Sequence, residues 1–306
     1  MFSDITDIPV CTRRIFHRQR LWLMKYAVSG LIPIRHRYPR LKASPVPKQG
    51  RLCVEIVSHC WGYSHLQEYQ LSSLLLNPPL NVDIVMTVYF CREDEKTLEV
   101  LDFFSRLSVP GISWQFRAMP KEWLFRRSIG RNHAALNTKA DWIWFTDCDV
   151  VFADGALDDM AKALQLAYAP LVFPRYQGIT GLLEDDQIRS ESGKGADVRP
   201  LPDDMIFEEE LVSKATGPLQ ITHGDAAREL GYCRDIAVYQ VPEPKWQKCQ
   251  EDRAFRWMLE TSGEPIHVHG ISRIRHIAKG RYTGSAASSR TRTALRVMQD
   301  WIRRRN

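Results

Sequence analysis

The sequence predicts an α/β fold with a mostly parallel central sheet covered by helices on both faces. Three observations carry that prediction. Short apolar runs alternate with segments of helical periodicity from about residue 53 to residue 175. The runs are short and continuously apolar, as in parallel strands that are buried on both sides. Hydrophobic residues make up 44% and charged residues 25% of the 306 residues, a globular composition that excludes a disordered chain.

The elements follow in order. CVEIVS (53–58) reads as a strand, and the next helix carries Leu71, Leu74 and Leu75 before Asn77-Pro78-Pro79 stops it. VDIVMTVYF (82–90) is a second strand. Val100, Phe103, Phe104 and Leu107 then mark one face of a helix, broken by Pro110-Gly111. ISWQFRAM (112–119) is a third strand, and a polar helix opens near Ser128 and runs to about Asn137. WIWFT (142–146) is a strand, Leu157, Met160, Ala161 and Leu164 mark a helix, and LVFPR (171–175) is one more short strand. Residues 178–215 lack periodicity and are rich in Gly, Asp, Glu and Ser, which reads as a long functional loop. The pattern resumes at LQITHGDAARELGY (219–232), and a final helix with Phe255, Met258 and Leu259 on one face begins near Gln250.

Charge divides the chain unevenly. The net charge is +6, yet residues 1–50 carry +8 and residues 273–306 carry +9, which leaves the middle at −11. Basic ends around an acidic core predict different partners for the two. The organisation that follows is a basic extension at 1–50, a catalytic domain at 51–280 and a basic amphipathic helix at 281–306. Within the middle domain a donor half spans about 51–175 and an acceptor half about 176–280.

Seven cysteines without CxxC or zinc-finger spacing do not form a disulfide framework and suit a reducing cytosol. The N-terminus lacks the layout of a signal peptide. Its most apolar part, LWLMKYAVSGLIPI (21–34), contains Lys25 and is too short to span a bilayer. Two readings fit it: an interfacial helix with its arginines at anionic headgroups, or a helix packed on the domain. The C-terminal TRTALRVMQDWIRRRN, with Ala294, Val297, Met298 and Trp301 on one face, carries the same two readings.

The chemistry-bearing feature is the tip of WIWFTDCDVV. In a strand, residues two apart share a side, so Asp147 and Asp149 can converge while Cys148 points away as a small buried hydrophobe. Ligands of a parallel sheet bind beyond the carboxyl ends of its strands, where this tip lies. Two convergent carboxylates there suit Mn²⁺ or Mg²⁺, held by few protein ligands and completed by substrate phosphates. The plainer alternative is a set of acidic residues that cap the next helix, a task Asp154 can perform alone.

GRNHAALNTKADWIWFTDCDVVF (130–152) resembles the inverting GT-A glycosyltransferases of family 2, in which a helix with an Arg-Asn pair precedes a strand and a metal-binding DxD. The resemblance extends over about residues 52–276, with Arg126 to Ala161 its most specific part. It implies a GT-A (Rossmann-like) fold and transfer of a sugar from a nucleoside-diphosphate sugar to an acceptor hydroxyl. By that resemblance Asp147 contacts the sugar nucleotide, Asp149 holds the metal, and Arg127, Arg131 and Asn132 lie near the donor. His59 and Asp94, at the ends of the first two strands, are the remaining donor-side candidates. His223, Gly224 and Asp225 fall in the acceptor-side segment. Glu251 and Asp252 resemble the pair that supplies the catalytic base, with Asp252 as the base, although an ordinary acidic first turn of a helix has the same appearance. His276 is the candidate that completes the metal shell, with His267 and His269 as competitors on the probable strand EPIHVHGI. Three histidines in ten residues also suit zinc, but no fourth ligand stands at a familiar spacing.

The match departs from the family in two places. The first strand ends in SHCWGY rather than a Pro-x-Tyr-Asn-like turn, and VYFCREDEKT (88–97) has no Asp directly at the strand end. Base recognition is therefore open, with a UDP-sugar weakly favoured. The expected acceptor is a glycan or a lipid-linked carbohydrate in polysaccharide or glycolipid synthesis. The corresponding location is the cytoplasm, including the inner face of the plasma membrane. Two other function classes compete with this one. A nucleic-acid-binding protein would draw on the basic ends and nine tryptophans, but no recognised motif is present and the middle is acidic, so no nucleic acid is expected. A sugar-phosphate nucleotidyltransferase would use the same carboxylates but would need a Gly-rich phosphate loop, which SHCWGYSH is not.

Overall fold

The structure is a computed structural model that describes residues 1–11, 16–184, 188, 195–246 and 250–277. Its first half runs β1 (Phe2–Asp4), α1 (His17–Val28), β2 (Cys53–His59), α2 (Ser64–Leu76), β3 (Asp83–Phe90), α3 (Glu95–Ser105) and β4 (Ile112–Ala118). Then come α4 (Lys121–Leu124), α5 (Arg127–Asn137), β5 (Trp142–Phe145), β6 (Val150–Phe152) and α6 (Ala156–Leu164). The remainder is β7 (Leu171–Pro174), β8 (Tyr176–Ile179), β9 (Glu208–Leu211), β10 (Gln220–His223), α7 (Gly224–Leu230), α8 (Glu251–Met258), β11 (Glu264–Ile266) and β12 (Ile271–Arg273).

Eight strands form the central sheet in the order β1-β4-β3-β2-β5-β10-β7-β11. All pairs are parallel except those of β10, which runs antiparallel to both neighbours. The chain starts the doubly wound part at β2, steps outward through β3 and β4, then returns to the other side of β2 with β5. The order thus reverses between β2 and β5, and the crevice beyond their carboxyl ends is where such a sheet binds ligands. The continuously apolar runs are buried as parallel strands require: Trp142, Ile143, Trp144 and Phe145 are all inaccessible. Leu157, Met160, Ala161 and Leu164 form the buried stripe of α6.

Several features differ from the sequence reading. Residues 2–4 do not belong to an extension. They add a parallel edge strand to β4, the Met1 ammonium donates to the Trp114 carbonyl at 2.8 Å, and Phe2 packs on Phe90 and Phe116. The segment read as a long loop contributes β8 and β9 to a second sheet of four strands, ordered β6-β12-β8-β9. Short strands with exposed glutamates, such as Glu208–Leu211, leave no apolar alternation for a sequence to show. The run EPIHVHGI is not one strand: β11 ends at Ile266 and β12 begins at Ile271, with His267–Gly270 between them and Gly270 at φ +76°. The C-terminal helix predicted at 281–306 lies outside the described residues.

Of the two readings of the N-terminal apolar stretch, the structure shows packing on one side. Met24 and Ala27 of α1 are buried, and Arg35 donates to the carbonyls of Trp257 at 3.0 Å and Met258 at 2.5 Å, which caps the carboxyl end of α8. On the other side Trp22 and Leu23 are exposed.

Candidate active site

The chain leaves the central sheet at Phe145 and enters the second sheet at Val150, so Asp147 and Asp149 lie on the turn between the two sheets. This corrects the strand-tip geometry. The carboxylates are displayed by a turn, closed by Val150 N–H to the Asp147 carbonyl at 3.3 Å, rather than by strand alternation. Helix α2 pins that turn: the Gln70 side-chain amide donates to the carbonyls of Asp147 and Val150, both at 2.9 Å. Cys148 is buried beneath it.

Helix α5 presents two arginines to the turn. Arg127, its first residue, pairs with the Asp147 carboxylate and reaches Glu251 Oε1 at 3.1 Å. Arg131, one turn on, is fully buried, and a buried guanidinium must have its donors satisfied. It donates to the Tyr232 hydroxyl at 2.9 Å and the Thr146 carbonyl at 3.1 Å, and stands 3.5 Å from Asp147 Oδ1. Its guanidinium also lies over the rings of Phe145 and Tyr232. The Tyr232 hydroxyl donates onward to Gln220 Oε1 at 2.8 Å, and the Gln220 amide to the Asp252 carbonyl at 3.0 Å. Burial, first of all, holds the Tyr232 phenol well above its ordinary pKa, so it stays a neutral donor in this chain.

Glu251 and Asp252 open α8 and form the acidic first turn of that helix. They are not equivalent. Glu251 is buried against Arg127, whereas Asp252 is partly exposed, with Arg256 Nη1 3.9 Å away on the next turn and the Gly217 backbone alongside. Sequence-distant groups from α5, the β5–β6 turn and α8 are thus joined through one arginine.

Asp149 is buried on the second-sheet side of the turn. Its Oδ2 accepts from Arg273 Nε at 3.1 Å, and His276 Nε2 stands 3.9 Å from the same oxygen. Its Oδ1 is buried and has no hydrogen-bond partner among the described residues. Among the described residues no three His, Cys, Asp or Glu side chains are grouped closely enough to form a complete metal shell. An orphaned carboxylate oxygen beside an imidazole nevertheless fits a hard divalent cation that takes most of its remaining ligands from substrate phosphates and water. His267 and His269 are elsewhere, around Tyr176, and His269 Nδ1 is bonded to Glu209 at 2.6 Å.

The other predicted residues fall into three groups. His59, at the end of β2, is buried and stacked on Tyr89, and α5 crosses it so closely that a Cβ on Gly130 would overlap its Nε2. Asp94 caps α3 through Thr97 and accepts the Gly62 N–H at 2.6 Å, tying together the loops that follow β2 and β3. Asn132 accepts the Tyr232 N–H at 3.0 Å and clamps the turn after α7 instead of facing the crevice. His223, Gly224 and Asp225 are at the opposite end of the sheet. Because β10 is antiparallel, Gln220 pairs with Phe145 beside the site while His223 pairs with Trp142 at the far end. There Asp225 accepts the Val46 N–H and pairs with Arg228, and a Cβ on Gly224 would overlap the Ala140 carbonyl. From the same stretch of chain, Gly217 and Gln220 are the residues that lie beside Asp252.

Sequence reasoning missed Gln70, Gln220, Tyr232 and Arg273. Only two left a trace: Tyr232 directly follows the glycine of ELGY, and Arg273 precedes His276 by three residues.

Residues 92–210 match the family model described as glycosyl transferase family 2, a span that contains α5 and the Asp147–Asp149 turn but ends before α8 and β12. Among curated proteins none matches the chain. The chain is similar to a mannosyltransferase from Pyrobaculum calidifontis solved with GDP-Man and Mn²⁺, at 13% identity and a TM-score of 0.42, over 94% of this chain and 73% of that one. It is also similar to S. aureus TarS residues 1–349, at 14% identity and a TM-score of 0.39, over 74% of this chain and 58% of that one. The family match thus spans the turn on which the site is built, and over residues 92–210 the chain is similar to glycosyl transferase family 2.

Proposed function

We propose that this enzyme moves a sugar from a nucleoside-diphosphate sugar to an acceptor hydroxyl in one displacement that inverts the anomeric carbon, with Mn²⁺ or Mg²⁺ as cofactor. The observation that supports this most is Arg127, which joins Asp147 at the sheet edge to Glu251 at the head of α8. Donor-side and acceptor-side carboxylates then share one crevice. Asp149 and His276 would hold the cation, and its chemistry there is to neutralise charge on the departing nucleoside diphosphate. Asp147 orients the sugar nucleotide, and Arg127 and Arg131 keep it in place.

Asp252 takes the proton from the acceptor hydroxyl. Of the pair it is the more accessible carboxylate and faces the Gly217 backbone, whereas Glu251 is committed to Arg127. Glu251 is then the residue that positions α8 against the donor. His59 and Asp94 lie at the ends of β2 and β3, where the base would be read, with UDP the weakly favoured nucleotide.

The acceptor in this reading is a glycan or lipid-linked carbohydrate at the cytoplasmic face of an anionic membrane. The feature that favours it is the outer face of α1, where exposed Trp22 and Leu23 stand among Arg18, Arg20 and Lys25. No helix among the described residues is long and apolar enough to cross a membrane.

A panel of nucleotide sugars tested for Mn²⁺-dependent thermal stabilisation checks the donor site. A shift in melting temperature that disappears in Asp149→Ala is expected. Absence of any shift, or an unchanged shift in the variant, overturns the reading. The anomeric configuration of the product, read by NMR, checks inversion.

A further inference from the structure

Arg273 has no role in the reading above, yet the fold places it with care. Strand β12 runs antiparallel to β6 in a register that sets Arg273 opposite Val150, the residue after Asp149. The same register brings Ile274 N–H onto the Asp149 carbonyl at 2.8 Å and Arg273 Nε onto Asp149 Oδ2 at 3.1 Å. His276 follows on the same segment, 3.9 Å from that oxygen. One strand therefore delivers to one buried carboxylate both a cation and a metal-binding type of side chain.

The two cannot serve Asp149 at the same time without cost. A divalent ion on this carboxylate would stand within a few ångströms of the guanidinium, and like charges at that range repel strongly where water is scarce. Without any cation, however, Asp149 would meet an incoming diphosphate as an uncompensated carboxylate, since Arg127 and Arg131 are already engaged by Asp147. Arg273 can meet both demands, because its side chain is 32% exposed while Asp149 is 6% exposed. The carboxylate is the more enclosed partner, and the arginine side chain borders solvent. Its planar donor fork suits phosphate oxygens as well as it suits a carboxylate.

We infer that Arg273 is a built-in counter-cation for Asp149, holding the carboxylate until metal and diphosphate arrive together and then turning to the diphosphate. This rests on the metal-dependent reading of the same site. It predicts that metal binding waits for the nucleotide: the free enzyme resists Mn²⁺, and the nucleotide removes the competitor.

The test is Mn²⁺ binding to the purified full chain, followed by electron paramagnetic resonance with and without UDP. Wild type is expected to bind Mn²⁺ weakly alone and much more tightly with UDP. Arg273→Gln, which leaves Asp149 without its charged partner, is expected to bind Mn²⁺ alone about tenfold more tightly, the worth of one charge-assisted hydrogen bond. The same variant is expected to lose most of the strengthening by UDP. Arg273→Lys, which keeps the charge and tests whether mere disruption of β12 is responsible, is expected to behave like wild type. Unchanged Mn²⁺ affinity in Arg273→Gln, or a Lys variant that matches the Gln variant, overturns the inference. Asp149→Asn separates the two levels. If it abolishes Mn²⁺ binding while Arg273→Gln changes nothing, only the counter-cation role fails. If Asp149→Asn also leaves binding unchanged, the metal site itself is wrong and the inference falls with it.

Discussion

At the scale of single residues, Arg127 is the member whose loss should be felt most. It neutralises Asp147 and the buried Glu251 together, and removing one partner of a buried pair leaves an uncompensated charge. Arg127→Ala should lower kcat/KM by two orders of magnitude or more and destabilise the fold by about 3 kcal/mol, measured by turnover and urea denaturation. Adding Glu251→Gln should return part of the stability and none of the activity. A second residue makes a pH prediction. His133 Nδ1 is bonded to the Tyr89 hydroxyl at 2.7 Å, and burial, reinforced by Arg117, pushes its pKa down to about 4 from 6.5. The native state therefore resists protonation that the unfolded chain accepts. Its stabilising effect is complete above pH 6.5 and is lost progressively as pH falls towards 4. His133→Gln should flatten the stability curve across that window, as urea denaturation at several pH values would show.

At the scale of elements, the site depends on how tightly helices and strands meet. Helix α5 crosses the end of β2 with no room for a side chain at Gly130, where a Cβ would overlap His59. Gly130→Ala should therefore cost about 1–3 kcal/mol by overpacking, despite the better helix propensity of alanine, and should lower the melting temperature. The α2 contribution is of another kind. Gln70 supplies donors to two carbonyls of the Asp147–Asp149 turn. Gln70→Ala removes one donor from each carbonyl, of which that of Asp147 keeps the Val150 N–H, so a loss of about 1 kcal/mol should accompany a fall in kcat larger than the change in KM for the donor. A Gln70 variant with wild-type kcat would show that the turn holds its shape unaided.

At the scale of the whole molecule, helix α1 has one face packed on the domain and one face exposed. The inner face of α1 packs on the domain and, through Arg35, on the end of the helix that carries Glu251 and Asp252. The outer face leaves Trp22 and Leu23 exposed among cations. Co-sedimentation with vesicles containing phosphatidylglycerol should capture the protein at low salt and release it at high salt. Trp22→Ala/Leu23→Ala should weaken capture while the donor-induced thermal shift stays intact. Equal recovery with neutral vesicles, or none with either, contradicts the membrane reading.

Local chemistry made much of this protein legible in its sequence. The apolar strands, their parallel arrangement and the helices stopped by Pro and Gly follow from periodicity and burial, which act over a few residues at a time. The two carboxylates at the end of WIWF were visible too, as a candidate site weighed against capping of the next helix, but the sequence placed them on a strand tip and the fold places them on a turn. What only the tertiary structure decided is which distant residues meet them. The antiparallel course of β10 carried His223, Gly224 and Asp225 to the far end of the sheet and brought Gln220 to the site instead. The pairing of β12 with β6 selected His276 over His267 and His269 as the neighbour of Asp149, and added Arg273. Strand direction and register are set by the summed packing of many residues, so no local stretch of sequence contains them.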